Sequence, residues 1–427
     1  MKKIFIILSI ALLIQLSAFS AQTTVQKQIQ IARTFIENLS AKNFNAAYNL
    51  FNKKVSEALP ESKLSAIWQS LENNFGKYEN IAEIKNFENK GYEIVIIKTK
   101  FEKGYLDMQV AVDVNYKIAG FWIKPSEAPK YTLPDYVNTN KFTVKKVEIG
   151  KFKLPGELTI PKGKGPFPGI ILISGSGPSD MDESIGANKP FKDLAYGLST
   201  MGIVVLRYDK RTYVYGKEVK PANAKNVYLE DANSAINFMK SLPYVKNTFV
   251  LGHSLGAYLA PEIAYKNKDI NGIIMLAAPA RSMATISIEQ LEYIKSLTKD
   301  QSEKDKINKI IEKLKLIEEH KMKDSEYVMG APASYYYNLN KYSPTKILKN
   351  FTKKVLICQG GKDYQVSKKD FDIFKNMFAS NKLFTFKWYP SLSHIFTPVT
   401  GIPSPSNYQE ASHVDKKVID DIITWIK

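Results

Sequence analysis

Cysteine is almost absent from this chain: among 427 residues Cys358 stands alone. A single thiol excludes an intrachain disulfide framework and a cysteine-rich metal cluster, and its setting in Val355-Leu356-Ile357-Cys358 reads as a small buried hydrophobe. Arginine is also scarce, at Arg33, Arg207, Arg211 and Arg281, although the formal net charge is +18. The positive charge is therefore lysine, scattered among Asn and Ile. The arginine forks and clustered aromatic platforms that base and phosphate recognition favour are missing, so no nucleic-acid partner is expected. After the first residues no run approaches the roughly 20 apolar residues of a membrane span. No metal and no cofactor is expected.

What the chain does have begins with Met1-Lys2-Lys3, the apolar run Ile4 to Leu16 and then Ala18-Phe19-Ser20. That basic, apolar, small-residue order is typical of a secretory signal peptide. Residues 1–20 are read as a cleaved leader without a lipid-accepting cysteine, and the mature protein is expected to be exported to the periplasm or the medium, with no integral membrane segment.

Residues 22–125 form a first module. Ile29, Ala32, Phe35, Ile36 and Leu39 recur at helical spacing, and Phe44, Ala47, Tyr48 and Phe51 continue a second helix. The period changes to two in Leu106 to Val114, with Ile94 to Ile97 and Phe121 to Ile123 as neighbouring strands. Helices followed by antiparallel strands imply a small α+β module, expected to pack and dock rather than catalyse. Residues 126–140, with Pro129 and Pro134, read as a linker. From 141 to 427 short apolar strands alternate with helices, beginning at Gly169 to Ile173 and ending at Phe384 to Trp388, which implies an α/β domain with a mainly parallel sheet covered on both faces. About residues 282–345 the alternation is interrupted. Two amphipathic stripes there, Ile288-Leu291-Ile294-Leu297 and Ile307-Ile310-Ile311-Leu314-Ile317, suggest a helical cap.

The most informative stretch is Thr248-Phe249-Val250-Leu251-Gly252-His253-Ser254-Leu255-Gly256-Ala257. A strand running into Gly-x-Ser-x-Gly and then into a helix rich in small residues is the context of a nucleophile elbow. Ser254 is the expected nucleophile, and it needs a base. Of four histidines, His253 must point away from its neighbour, His320 falls in the cap and His413 opens the last helix. His394, in the loop after the last strand, is the expected base. Asp363, one strand earlier, is expected to orient it, with Asp370 and Asp372 as alternatives in the following helix, where they read as solvent-facing. The oxyanion donors are expected from the backbone N–H of Leu255 and, in the glycine-bearing loop Ser174 to Pro178, from that of Ser176.

The motifs Ser174 to Pro178, Arg207-Tyr208-Asp209-Lys210-Arg211, Gly252 to Gly256, Gly360 to Asp363 and His394 resemble those of exported bacterial α/β-hydrolases related to EstD-type carboxylesterases. The order of the first module resembles the cone-shaped fold of the nuclear-transport-factor and ketosteroid-isomerase type, and the module of unknown function that precedes some exported serine hydrolases. The resemblance implies an α/β-hydrolase fold and a serine hydrolase acting on a small-molecule ester. Ser174 replaces the histidine of the lipase loop, and Ser254 replaces the cysteine of dienelactone hydrolases.

A carboxylic ester hydrolase working through an acyl-enzyme is therefore the leading expectation. Alternatives are a prolyl-aminopeptidase-like peptidase or an acyl-thioester hydrolase of the same fold and, further off, a non-catalytic ligand-binding protein. The sequence leaves the oligomeric state open. At the end of the cap, Tyr335, Tyr336 and Tyr337 are expected to supply one or two rings that close a small pocket for short acyl chains. Consecutive helical residues spread over roughly 200°, so all three cannot face it.

Overall fold

The computed structural model describes residues 24–127, 130–216 and 223–427; the leader expected at 1–20 lies outside them. The chain divides into two compact units, one ending at Tyr131 and also taking Ser406–Ala411, the other comprising Thr132–Pro405 and Ser412–Lys427.

In the first unit a helix over 24–40 and the helices Phe44–Tyr48, Lys53–Ala58 and Glu61–Phe75 precede four strands: β1 (Tyr78–Asn89), β2 (Tyr92–Phe101), β3 (Gly104–Val112) and β4 (Ile118–Ser126). The strands pair antiparallel in sequence order. Alternation along β3 buries Leu106, Met108 and Val110 against Phe35, Ile36 and Trp68, as a half-covered sheet requires. The segment Ser406–Ala411, expected within the hydrolase domain, belongs to this unit instead. Glu410 forms an ion pair with Arg33, and Ala411 N–H donates to the Ala82 carbonyl at 2.8 Å. These partners are hundreds of residues away, so no local pattern announces them.

The second unit is built on eight strands: β5 (Phe142–Ile149), β6 (Leu154–Pro161), β7 (Phe167–Ile173), β8 (Val204–Tyr208), β9 (Val245–His253), β10 (Ile270–Leu276), and, after the cap hairpin β11 (Tyr327–Val328) with β12 (Ala331–Pro332), β13 (Lys354–Gly360) and β14 (Phe384–Tyr389). Their order is β14-β13-β10-β9-β7-β8-β6-β5. The six strands from β14 to β8 are parallel, and β6 and β5 join antiparallel at one edge. One apolar cluster places Ile171, Val250, Ile273 and Ile357 with helices Glu230–Lys240 and Leu255–Lys266. The other places Ile170, Leu251, Ile274 and Leu356 with Pro190–Thr200 and Lys416–Ile426. Neighbouring strand residues fall into opposite clusters, which is what covers both faces of a parallel sheet. This is the α/β-hydrolase architecture, preceded by a small α+β module.

Between β10 and β13 the cap forms from helices Met283–Leu297, Gln301–Glu318 and Ala333–Leu339. Its core joins Leu291, Ile307, Ile311, Leu314, Ile317 and Tyr336, so the two amphipathic stripes face each other. Leu297 stays exposed at the end of its helix.

Candidate active site

The parallel strands deliver the expected site residues from their C-terminal ends, where open α/β sheets bind ligands. Ser254 follows β9 directly and caps the next helix with φ 52° and ψ −119°, a backbone region that side chains other than glycine rarely occupy. The neighbouring glycines make it possible. A Cβ on Gly256 would lie 2.1 Å from the carbonyl oxygen of Ile173, and one on Gly252 would lie 2.3 Å from that of Gly256. A side chain at Gly252 would drive strand β9 from the helix that follows it, and one at Gly256 would drive that helix from the end of β7.

Asp363 and His394 meet across the loops that follow β13 and β14. His394 Nδ1 lies 2.7 Å from Asp363 Oδ2, and both residues are buried. Gln359 Nε2 donates to the same Asp363 oxygen at 2.9 Å, while the backbone N–H groups of Gln365 and Val366 donate to Oδ1 at 2.8 and 2.9 Å. The carboxylate is an acceptor held by four donors, which assigns the proton to Nδ1 and leaves Nε2 as an acceptor. Glycine again permits the approach: a Cβ on Gly360 would stand 2.4 Å from the Leu392 carbonyl.

The loop after β7 closes beside the elbow, where a Cβ on Gly175 would be 3.2 Å from that of Ser254. Ser176, Ser254 and Leu255 line one cavity of about 800 Å³ together with Met283, Ile286 and Val366. Tyr335 and Tyr336 line it as well. Tyr337 does not: its ring stacks on His320 with centroids 4.5 Å apart, and its hydroxyl donates to the Met322 carbonyl at 2.9 Å. The third tyrosine of the expected trio is thus a cap-packing residue, because the helix Ala333–Leu339 turns it away from its two neighbours.

His253 packs its ring on that of His394, with centroids 4.7 Å apart, and its Nε2–H donates to the His394 carbonyl at 2.9 Å. Its Nδ1 lies 2.9 Å from Glu183 Oε2. Burial works against protonating His253, but the Glu183 carboxylate outweighs it and raises the imidazole above its ordinary range. Glu183 carries no sequence signal that separates it from ordinary surface charge, and Lys210 is marked only by the motif Arg207-Tyr208-Asp209-Lys210-Arg211, which assigns it no role.

Asp370 departs from its expected solvent-facing place. It is fully buried, accepts from Ala280 N–H at 2.9 Å and forms an ion pair with Arg281 at 2.6 Å. It anchors the entry to the cap. Asp372 remains with Lys368 at 2.7 Å, and His413 sits 3.3 Å from Asp193, so neither joins the site.

Two families match the chain: the protein of unknown function DUF3887 over residues 32–121, and the serine aminopeptidase S33 family over residues 187–397. Esterase EstD of Thermotoga maritima is 39% identical over 397 residues, covering 93% of this chain and 95% of that protein. The acyl-coenzyme A amino acid N-acyltransferase 2 of Mus musculus is 28% identical over 152 residues, 35% of this chain and 32% of its own length. Among solved structures, Est1E from Butyrivibrio proteoclasticus is 17% identical with a TM-score of 0.44, covering 66% of this chain and all but 2% of its own. A puromycin-hydrolyzing peptidase of Mycobacterium tuberculosis is 13% identical with a TM-score of 0.42, over 80% of this chain and 47% of its own. By its 39% identity to esterase EstD along nearly the whole of both chains, the chain belongs to the EstD family of α/β-hydrolase serine esterases.

Proposed function

We propose that the chain hydrolyses carboxylic esters of small molecules with Ser254 as nucleophile, His394 as general base and acid, and Asp363 as the group that orients the imidazole. The observation that carries this reading is the position of Ser254: a strained elbow serine at a helix N-terminus, opening on a cavity walled mainly by apolar side chains. In the first half-reaction Ser254 Oγ bonds to the ester carbonyl carbon and its proton passes to His394 Nε2. The C–O bond to the alcohol then breaks, and the leaving oxygen takes that proton. A water repeats the sequence on the acyl-enzyme and releases the acid. Negative charge on the carbonyl oxygen is received by the N–H groups of Leu255 and Ser176. The first amides of a helix have no intrahelical partner and favour such charge.

Among the described residues lining the cavity the charged side chain is Lys210, and no carboxylate is present. A peptidase that grips a substrate's free amine needs a negative group there, so the lining favours a neutral ester. Tyr335 and Tyr336 are proposed to close the acyl side and favour short chains. Residues 1–20 support export to the periplasm or the medium. Among the described residues no helix is long and apolar enough to cross a membrane.

A panel of p-nitrophenyl esters, acyl thioesters and amino-acid anilides separates the readings. The esters are expected to turn over fastest, with kcat/KM at least tenfold above the anilides. Faster cleavage of anilides with a free α-amine would replace the esterase reading with a peptidase one.

A further inference from the structure

The Gly175–Ser176 peptide is gripped from behind by a buried cation. Lys210 lies just beyond β8, and its ammonium donates to the carbonyl of Gly175 at 2.7 Å, to that of Gly177 at 2.7 Å and to the Tyr228 hydroxyl. The Tyr228 hydroxyl donates in turn to the same Gly175 carbonyl at 2.6 Å. All three ammonium protons are thus used within one cluster, two of them on a single loop. At the other end of the residue, Gly175 N–H donates to Glu183 Oε1 at 2.6 Å.

A peptide unit is planar and trans, so fixing its carbonyl fixes the direction of the N–H on the opposite side. The N–H opposite the Gly175 carbonyl is that of Ser176. We propose that Lys210, together with Tyr228, is a positioning residue of the esterase reaction: it holds and polarises the Gly175–Ser176 peptide so that the Ser176 N–H meets the developing oxyanion. This inference rests on the esterase reading above.

Two arguments separate this role from plain stability. A buried ammonium is costly to desolvate, and among the described residues no carboxylate is hydrogen-bonded to it to offset the cost; Glu183 acts on it through space. The two carbonyls that the ammonium holds belong to the loop beside Ser254, where a Cβ on Gly175 would be 3.2 Å from that of Ser254. In addition, a hydrogen bond accepted at a carbonyl strengthens the donor at the far end of the same peptide, which is where an oxyanion needs it. Below about pH 7, where Lys210 is mostly protonated, the charge of the ammonium enlarges that effect.

The test compares wild type with Lys210→Met and Tyr228→Phe. It measures kcat and KM on a p-nitrophenyl ester, affinity for a trifluoromethyl ketone that forms a tetrahedral oxyanion on serine, affinity for the product alcohol, and the melting temperature. Lys210→Met is expected to lower kcat about 100-fold, the scale of a lost oxyanion donor. KM and alcohol affinity should stay within about threefold, and trifluoromethyl ketone affinity should fall in parallel with kcat. Tyr228→Phe should lower both in the same direction by about tenfold, and it carries the test should Lys210→Met not fold. If kcat and ketone affinity are unchanged in the folded variants, or if KM and alcohol affinity alone are lost, the inference is overturned. A wild type that turns over no ester but cleaves anilides would instead remove the reading beneath it.

Discussion

The Cβ position of Gly256 falls 2.1 Å from the carbonyl oxygen of Ile173. The helix that carries the nucleophile is pressed against the strand that carries the oxyanion loop, with no room for a methyl group. Gly256→Ala is expected to destabilise the fold by about 3 kcal/mol or more, as overpacking against backbone does. A fall in melting temperature accompanied by lost activity would show it. An unchanged melting temperature would mean that strand and helix can separate freely.

Strain at Ser254 predicts a less usual result. With φ at 52° and ψ at −119°, removing the hydroxyl alone leaves the strained backbone in place, whereas glycine relieves it. Both Ser254→Ala and Ser254→Gly should lose at least about three orders of magnitude in kcat. Ser254→Gly should nevertheless melt higher than Ser254→Ala, by the equivalent of about 1 kcal/mol. Equal melting temperatures would argue that the elbow is unstrained in solution.

The elbow was legible in the sequence because its demands are local: two glycines, a serine and the change from strand to helix fall within ten residues. Asp363 and His394 were legible by their order after apolar strands. Roles assembled from distant segments were not. Asp370 reads as a surface acid of an amphipathic helix until Arg281 and the Ala280 amide come to it, Glu183 reads as any surface acid, and the motif around Lys210 does not say what its ammonium holds. Strands β1 and β5 leave little trace in the sequence for another reason: β1 buries only Ile81 and Ala82, and β5 only its two ends. Edge strands that face water on both sides carry little apolar period to read.

Two buried groups near the site predict opposite slopes of stability with pH. Glu183 raises His253 above its ordinary value of 6.5, so the unfolded chain releases that proton first as pH climbs. The stability from this pair should be complete below about pH 6.5 and be lost as pH rises through the folded value. Burial instead lowers Lys210 from 10.5 to about 7, so its contribution is present above about pH 10.5 and is lost as pH falls through about 7. Denaturant unfolding at pH 5 to 10 checks both signs. The destabilisation caused by His253→Asn should be larger at pH 5 than at pH 8, and that caused by Lys210→Met should shrink from pH 10 to pH 6. A pH-independent difference in either variant would contradict the corresponding environment.

Within the cap, Tyr335 and Tyr336 line the cavity and Tyr337 packs on His320. Tyr335→Ala or Tyr336→Ala should shift the preference from acetate towards octanoate esters, because each opens the acyl side. Tyr337→Ala should leave the preference unchanged while lowering the melting temperature. A chain-length series on the three variants decides it, and an altered preference in Tyr337→Ala alone would place the acyl chain elsewhere.

The central claim is that Ser254 forms the covalent intermediate. Wild-type protein treated with a fluorophosphonate until ester hydrolysis ceases should gain the mass of one adduct per chain, located by peptide mapping on Ser254, and Ser254→Ala should gain none. Complete inactivation with the adduct on another residue, or full ester hydrolysis while Ser254 carries the adduct, would contradict the account.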